Sequence, residues 1–329
     1  MESPVPLPPP PAAGLELTVS AIIVSYNTRD LTLECLRTLT AALEGLTAEV
    51  WVVDNGSADG SVGAIRASFP AVKLIDAGKN LGFGAANNLA MRQARGKYLL
   101  LLNSDAFPRP GAIAALVAHL ENCPDAAVAG PRLLNEDGSL QRSCFRFPSP
   151  LQAWCENLWI TVLFPEHEVF GDYRHWPHDG VREVDFVIGA CLLARRTVYE
   201  EVGGFDERFF MYQEEADWQR RIQMAGWKVA FTPNAEVTHL GGGSGKSEPE
   251  RVNRSFFESL DCYARKHHGI TGLLSIRAAM LVGCSLRATL WAVVAIAPRW
   301  RERAKAKARK HAWLVGRQLF TGFPANEPV

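Results

Sequence analysis

The chain has no surplus of either charge: Lys and Arg number 35 and Asp and Glu 35 in 329 residues. That balance excludes a protein that is basic throughout and wraps nucleic acid, so no nucleic-acid partner is expected. Cysteine is limited to seven residues, at 35, 123, 144, 155, 191, 262 and 284, with no CxxC or HxH spacing. An odd, scattered set supports neither a disulfide framework nor a zinc site, and reduced thiols in a cytoplasmic setting are expected. The N-terminus lacks the basic and apolar regions of a secretory signal. It reads MESPVPLPPPPAAG, with six prolines in the first eleven residues, which predicts a disordered or polyproline extension over 1–18. The glycine-rich stretch GKNLGFGAANN (78–88) fits neither the dinucleotide fingerprint nor the P-loop, which disfavours both chemistries.

What is present is apolar patterning. Hydrophobic residues make up 47% of the chain and charged residues 21%, enough to bury a sizeable core. The apolar run at 19–25 reads as a strand buried on both faces, 49–54 as a second buried strand, 72–76 as a short third strand and 97–103 as a fourth, with helical patterns between them. This alternation predicts βαβ units and a mostly parallel sheet. Ligands of such sheets bind at the carboxyl ends of the strands, where this chain places Ser25-Tyr26-Asn27, Asp54-Asn55 and Asn103-Ser104-Asp105. From about residue 131 the alternation is lost. Residues 141–183 are rich in Trp, Phe, Pro and His without periodicity, 184–196 reads as a strand entering a helix, and 209–227 as a helix with an acidic start.

Several of these residues have both an ordinary and a chemical reading. Asp105 could cap a helix, or bind a hard cation such as Mg2+ or Mn2+. Asp54 and Asn55 could form an Asx-turn, or hydrogen-bond a nucleotide. Gly82 and Gly84 would let backbone approach a ligand closely. Glu214, Glu215 and Asp217 could complement a helix dipole, or supply a general base whose pKa is raised beside Phe209, Phe210 and Tyr212. His239, before GGGSG, could be a packed histidine or a metal ligand.

Eight segments in order resemble family 2 glycosyltransferases of the GT-A fold: IIVSYN (22–27), VVDNGSADGS (52–61), NLGFGAANN (80–88), LLLNSDA (100–106), GACLLARR (189–196), GGFDERFFMYQEEADWQRR (203–221), AGW (225–227) and VTHLGGGS (237–244). The resemblance spans about 20–268 and is nearest to bacterial rhamnosyltransferase-like enzymes, with RFPSP (146–150) also similar. It implies an α/β GT-A catalytic domain over 19–255, with a nucleotide-binding half (19–130) and an acceptor half (131–255). A helical, apolar and basic region (256–315) and a tail (316–329) would follow.

The resemblance also implies roles. Ser25, Tyr26, Asn27 and Asp54 would hold the nucleoside, with Asn55 beside them. Asn80, Gly82, Phe83 and Asn87 would line the nucleotide and sugar pocket. Asn103-Ser104-Asp105 stands at the family's DxD position with only its last aspartate kept, so Asp105 and His239 would hold Mg2+ or Mn2+. Glu215 stands where the family usually has an aspartate base, with Glu214 and Asp217 as the other acids. The implied activity is metal-dependent, inverting transfer of a sugar, L-rhamnose from dTDP-rhamnose in the subgroup, to a glycan or polyprenyl-linked glycan of a cell-envelope polysaccharide. The competing readings are a nucleotidyltransferase, disfavoured by SYN after the first strand, and a non-catalytic nucleotide-sugar binder.

The balanced charge is a cancellation. Residues 271–329 hold ten Lys/Arg and two Asp/Glu, a net of +8, and residues 1–270 a net of −8. The apolar stretch 273–298 is interrupted by Arg277 and Arg287, and 299–312 carries seven Lys/Arg against one Glu. This pattern predicts helices that pack on the domain or lie on an anionic membrane through 273–312, rather than a spanning helix. The expected location is cytoplasmic, peripheral on the inner face of the plasma membrane.

Overall fold

The computed structural model describes residues 16–173, 175–241, 249–297 and 301–320. Most of the Pro-rich N-terminal segment, residues 242–248 and the last nine residues lie outside these. The described residues form two units, one of residues up to Phe145 with Pro177–Ser259, the other of Arg146–Trp176 with the chain from Leu260.

The first unit is built on a ten-stranded sheet. Its strands are β1 (Val19–Ser25), β2 (Ala48–Asp54), β3 (Lys73–Asp76), β4 (Tyr98–Asn103), β5 (Ala106–Pro108), β6 (Ala126–Leu134), β7 (Leu140–Gln141), β9 (Arg182–Glu183), β11 (Cys191–Arg195) and β12 (Lys228–His239). Two short strands, β8 (Cys144–Phe145) and β10 (Phe186–Val187), pair separately. The main order is β3-β2-β1-β4-β11-β6-β12-β5, with β7 on β6 and β9 on β12. Pairings β1–β2, β1–β4, β2–β3 and β6–β12 are parallel, whereas β11 runs antiparallel to both its neighbours.

The helices of this unit are α1 (Arg29–Ala42), α2 (Ser61–Ser68), α3 (Phe83–Met91), α4 (Ala112–Asn122), α7 (Arg196–Val202) and α8 (Glu214–Met224). Leu36 and Leu39 of α1 and Ile113, Leu116 and Leu120 of α4 share one core with Ala21 and Ile23 of β1 and Leu100 and Leu102 of β4. Ile22, Leu99 and Leu101, which alternate to the other face, are fully buried as well, so both faces are covered and these strands read as unbroken apolar runs.

Register sets the site. Ser25 pairs with Asp54, Asp54 with Asp76, and Val24 with Asn103. The polar residues that end the apolar runs therefore stand in one row at the carboxyl edge. After β4 the chain turns into β5, which pairs antiparallel with the end of β12, Ala106 opposite His239.

The structure differs from the sequence reading at β6, a long buried strand where no regular element was expected. It also differs at 209–213, which stays irregular before α8 because Tyr212 and Gln213 take positive φ values of 71° and 66°.

The second unit holds α5 (Pro150–Asn157), α6 (Ile160–Leu163), the part of α9 (Pro249–Val294) from Leu260 onward, and α10 (Arg301–Phe320). Ser149 caps α5, its hydroxyl accepting from the Gln152 amide at 3.1 Å, with Pro150 at the first helical position. Gly269 breaks α9 with φ 66° and ψ −170°. Arg277 forms a buried ion pair with Asp261 at 2.7 Å. The helical α10 continues to Phe320, into the segment expected to be a tail.

Candidate active site

The carboxyl edge of β1 and β2 opens into a set of loops pinned to one another. Asp54 Oδ1 accepts from the Ser57 amide at 2.8 Å, while its buried Oδ2 has no hydrogen-bond partner. Asn27, in the left-handed region at φ 52°, accepts from the Ala58 amide at 2.8 Å through its side chain. Its own amide donates to Ser57 Oγ at 2.9 Å. Tyr26 is half-buried and Asn27 exposed, so both can meet a ligand.

Other residues expected to touch the nucleotide have internal partners instead. Ser25 is buried in a hydroxyl cluster with Thr28 and Thr32, and Ser104 joins through Thr28 at 3.0 Å. Asn55 accepts from the Leu81 amide at 2.9 Å and donates to Asn80 Oδ1 and the Gly82 carbonyl at 3.0 and 3.1 Å. Asn80 Oδ1 also accepts from the Gly82 amide at 3.0 Å. Asn87 donates to the Phe83 carbonyl at 3.0 Å. These bonds shape the loops and use part of the hydrogen-bonding capacity of each side chain.

The glycines of this segment also serve a purpose other than the expected one. A Cβ on Gly82, whose φ is 85°, would lie 2.1 Å from the Phe210 carbonyl oxygen. That oxygen accepts from the Phe83 amide at 2.9 Å. A Cβ on Gly84 would meet Phe205 at 3.0 Å. The close approach is therefore to the 205–210 segment, and it couples the 78–84 segment to the chain leading into the acidic helix.

Asp105 and His239 are brought together by the β5–β12 pairing. His239 Nε2 lies 3.3 Å from Asp105 Oδ1 and 3.4 Å from Asn103 Nδ2. The Leu240 amide donates to the Asp105 carbonyl at 3.1 Å. The histidine ring is oriented from behind by Gln141, a residue that no motif singles out. Gln141 Nε2 donates to the Asn135 side chain and the His239 carbonyl, both at 2.9 Å, which fixes its amide. Its Oε1 must then accept from His239 Nδ1, at 2.6 Å. In the neutral ring the proton sits on Nδ1, and Nε2 turns a lone pair toward a carboxylate. That arrangement suits a cation between them: a carboxylate, an imidazole nitrogen and an outer partner for the ring. Among the described residues no third His, Cys, Asp or Glu converges here. The remaining ligands of such an ion would be donor phosphate oxygens and water.

The acidic helix forms the other side. Glu214 is only 3% exposed, and one carboxyl oxygen of Glu214 and one of Glu215 is buried without a partner. Burial pushes both carboxyls upward, Glu214 well above the usual range, where the charge of Glu215 adds to the effect. The Gly189 amide partly offsets this at Glu215.

Gly189 lies against both Phe83 and Glu215, and the Ala190 carbonyl next to it accepts from the Asn103 amide at 2.9 Å. The Gly189–Ala190 turn is thus a wall shared by β4's polar end and Glu215. Asp217 is placed differently. It is fully buried and paired with Arg221 at 3.0 Å, while Arg221 also donates to the carbonyls of Val202 and Gly204 at 2.8 and 2.5 Å. Asp217 therefore anchors the 202–205 turn.

Two further residues brace this side. Asn88 exchanges two hydrogen bonds of 2.9 Å with the Phe205 backbone. Ser259 Oγ donates to the Met211 carbonyl at 2.9 Å. Both hold the irregular 205–213 segment, whose positive-φ residues carry backbone strain of the kind stored at functional sites.

The comparisons with known proteins agree with this architecture. Residues 20–203 match the family described as glycosyl transferase family 2. The N-acetylglucosaminyl-diphospho-decaprenol L-rhamnosyltransferase of Mycobacterium tuberculosis is 31% identical, over 81% of this chain and 93% of that one. The low-salt glycan biosynthesis hexosyltransferase of Haloferax volcanii is 26% identical, over 67% of this chain and 66% of that one. Among solved structures, a mannosyltransferase from Pyrobaculum calidifontis in complex with GDP-Man and Mn2+ is similar with a TM-score of 0.56. It is 18% identical and the match covers 97% of this chain and 91% of that one, which establishes the GT-A-like fold.

Proposed function

The chain belongs to glycosyl transferase family 2, and we propose that it transfers L-rhamnose from dTDP-L-rhamnose, with inversion, to a polyprenyl-diphosphate-linked N-acetylglucosamine or a related lipid-linked glycan of the cell envelope. The observation that carries the reading is the wall at Gly189–Ala190, which joins the Asp105–His239 end of the sheet to Glu215. Likeness to the mycobacterial rhamnosyltransferase over nearly its whole length supports the choice of sugar and acceptor.

In this reading Tyr26, Asn27 and Asp54 receive the nucleoside. Asn55, Asn80, Gly82, Phe83 and Asn87 keep the pocket wall in shape. Asn103 and Ser104 carry the chain to Asp105. Asp105 and His239 would hold Mg2+ or Mn2+, which when bound offsets the charge that builds on the leaving diphosphate. Glu215 accepts the proton of the acceptor hydroxyl, whose oxygen attacks the anomeric carbon as the bond to the diphosphate breaks. Its buried, partner-poor carboxyl supports that role, because a raised pKa matches a base to neutral pH. Burial is what keeps that pKa high. The setting of such an acceptor would be the cytoplasmic face of the plasma membrane.

Thermal shift with a panel of nucleotide sugars, in the presence of Mn2+ or Mg2+, tests the donor. The reading expects dTDP-rhamnose to stabilise the protein. Stabilisation by a UDP-sugar and not by dTDP-rhamnose would overturn the choice of donor.

A further inference from the structure

The second unit carries a surface to which the reading above gives no role. On α9, Val282, Leu286, Leu290 and Val293 recur at helical spacing on one face and are exposed, as is Ile296 just past the helix end, at 73%. A second apolar group sits at α6, where Val162, Leu163 and Phe164 are at least half exposed. These two groups belong to one structure. Arg287 donates to Asn157 Oδ1 and the Glu156 carbonyl at 3.1 and 3.0 Å, and its guanidinium lies 4.7 Å from the ring centre of Trp159. A Cβ on Gly283 would be 2.3 Å from Asn157 Oδ1, so the end of α5 lies directly on α9. Beside this apolar face stands α10. Lys307 reaches the ring of Trp291 at 4.1 Å, tying α10 to α9. Arg301, Arg303, Lys305, Arg309 and Lys310 are exposed along it, with Glu302 the one acid among its described side chains.

An apolar stripe with a flanking basic helix is complementary to one partner chemistry, an anionic lipid surface. Although α9 is long and apolar enough to cross a membrane, the two arginines within its apolar stretch, Arg277 and Arg287, are already engaged. Arg277 is buried against Asp261 and Arg287 is bound to α5, so a spanning helix would have to break both sets of bonds and leave the charges in hydrocarbon. We propose that α6 and the outer stripe of α9, with basic α10 beside them, dock this protein in the plane of an anionic membrane without crossing it. The inference stands on the second unit alone, so it holds or fails independently of the donor and acceptor assigned above.

Co-sedimentation of the full chain with vesicles tests it. Binding is expected to vesicles of phosphatidylcholine and phosphatidylglycerol in equal parts, and not to phosphatidylcholine alone. The pair Leu290→Glu and Val293→Glu, and separately Leu163→Glu with Phe164→Glu, should each weaken binding by about tenfold or more, because each removes buried apolar area from the interface. These side chains are exposed, so the melting temperature should stay unchanged and report that the variants fold. Full binding by both pairs of variants, no binding to anionic vesicles, or resistance to carbonate extraction from membranes would each overturn the proposal.

Discussion

Gln141 grips His239 at two points, accepting from its ring Nδ1 at 2.6 Å and donating to its backbone carbonyl at 2.9 Å. The ring can then offer only Nε2 to Asp105, 3.3 Å away. Outer partners of this kind typically govern metal affinity by about 10–100-fold. Gln141→Leu should therefore weaken Mn2+ binding by about that factor, measured by calorimetry in the presence of dTDP, while the fold survives. Gln141→Glu keeps an acceptor for Nδ1 and should retain most of the affinity. Unchanged Mn2+ affinity in Gln141→Leu would show that the ring needs no such partner.

The pH profile follows from the burial of Glu214 and Glu215, which raises both carboxyls above the ordinary range. The acidic limb of kcat/KM should fall at a higher pH than an ordinary glutamate would give. Glu215→Gln should lower kcat by roughly 10²–10⁴-fold. An acidic limb within the ordinary carboxylate range would remove Glu215 from the role of base.

The same burial has a cost in stability. With the folded-state pKa raised, the native chain keeps protons that the unfolded chain releases. The pair is therefore without penalty below the ordinary carboxylate range, and stability falls as pH rises from there toward the raised values. Replacing Glu214 by Gln removes this penalty. It should stabilise the protein by about 0.5–2 kcal/mol at neutral pH, and by less at pH near the ordinary carboxylate range. Equal melting shifts at both pH values would contradict the linkage.

Asp217 and Arg221 separate structure from chemistry. Asp217 is fully buried and Arg221 partly so, and breaking a buried pair from one side costs up to about 3–5 kcal/mol. Asp217→Asn should therefore lower stability in denaturant titrations while kcat of the folded fraction changes little. A large loss of kcat with unchanged stability would instead make Asp217 the base.

The strand ends were legible because a polar residue closes each apolar run. Ser25, Asp54 and Asn103 could be aligned from the βαβ pattern alone, and the register confirms that row. β6 was not legible, since Gly130 and Pro131 interrupt it. The structure accommodates both. The ladder with β11 covers only Val128 and Ala129, so the missing Pro131 amide is not called upon there, and Val187 fills the space a side chain at 130 would need. The partnership of Gln141 with His239 arises from tertiary contacts of β7 and β12, which no local periodicity records. Likewise, nothing in residues 146–176 announces that they fold with the chain beyond 260. In a segment without a repeat, long-range pairing leaves no trace in spacing.

The most direct test of the central claim is rhamnosyl transfer itself. Purified protein is incubated with dTDP-L-rhamnose, Mg2+ or Mn2+ and polyprenyl-diphospho-N-acetylglucosamine, and the lipid product is read by mass spectrometry. The account predicts an acceptor heavier by one deoxyhexose with wild type, and its loss in Asp105→Ala and in Glu215→Gln. Absence of that product with wild type, or its undiminished formation by either variant, would contradict the account.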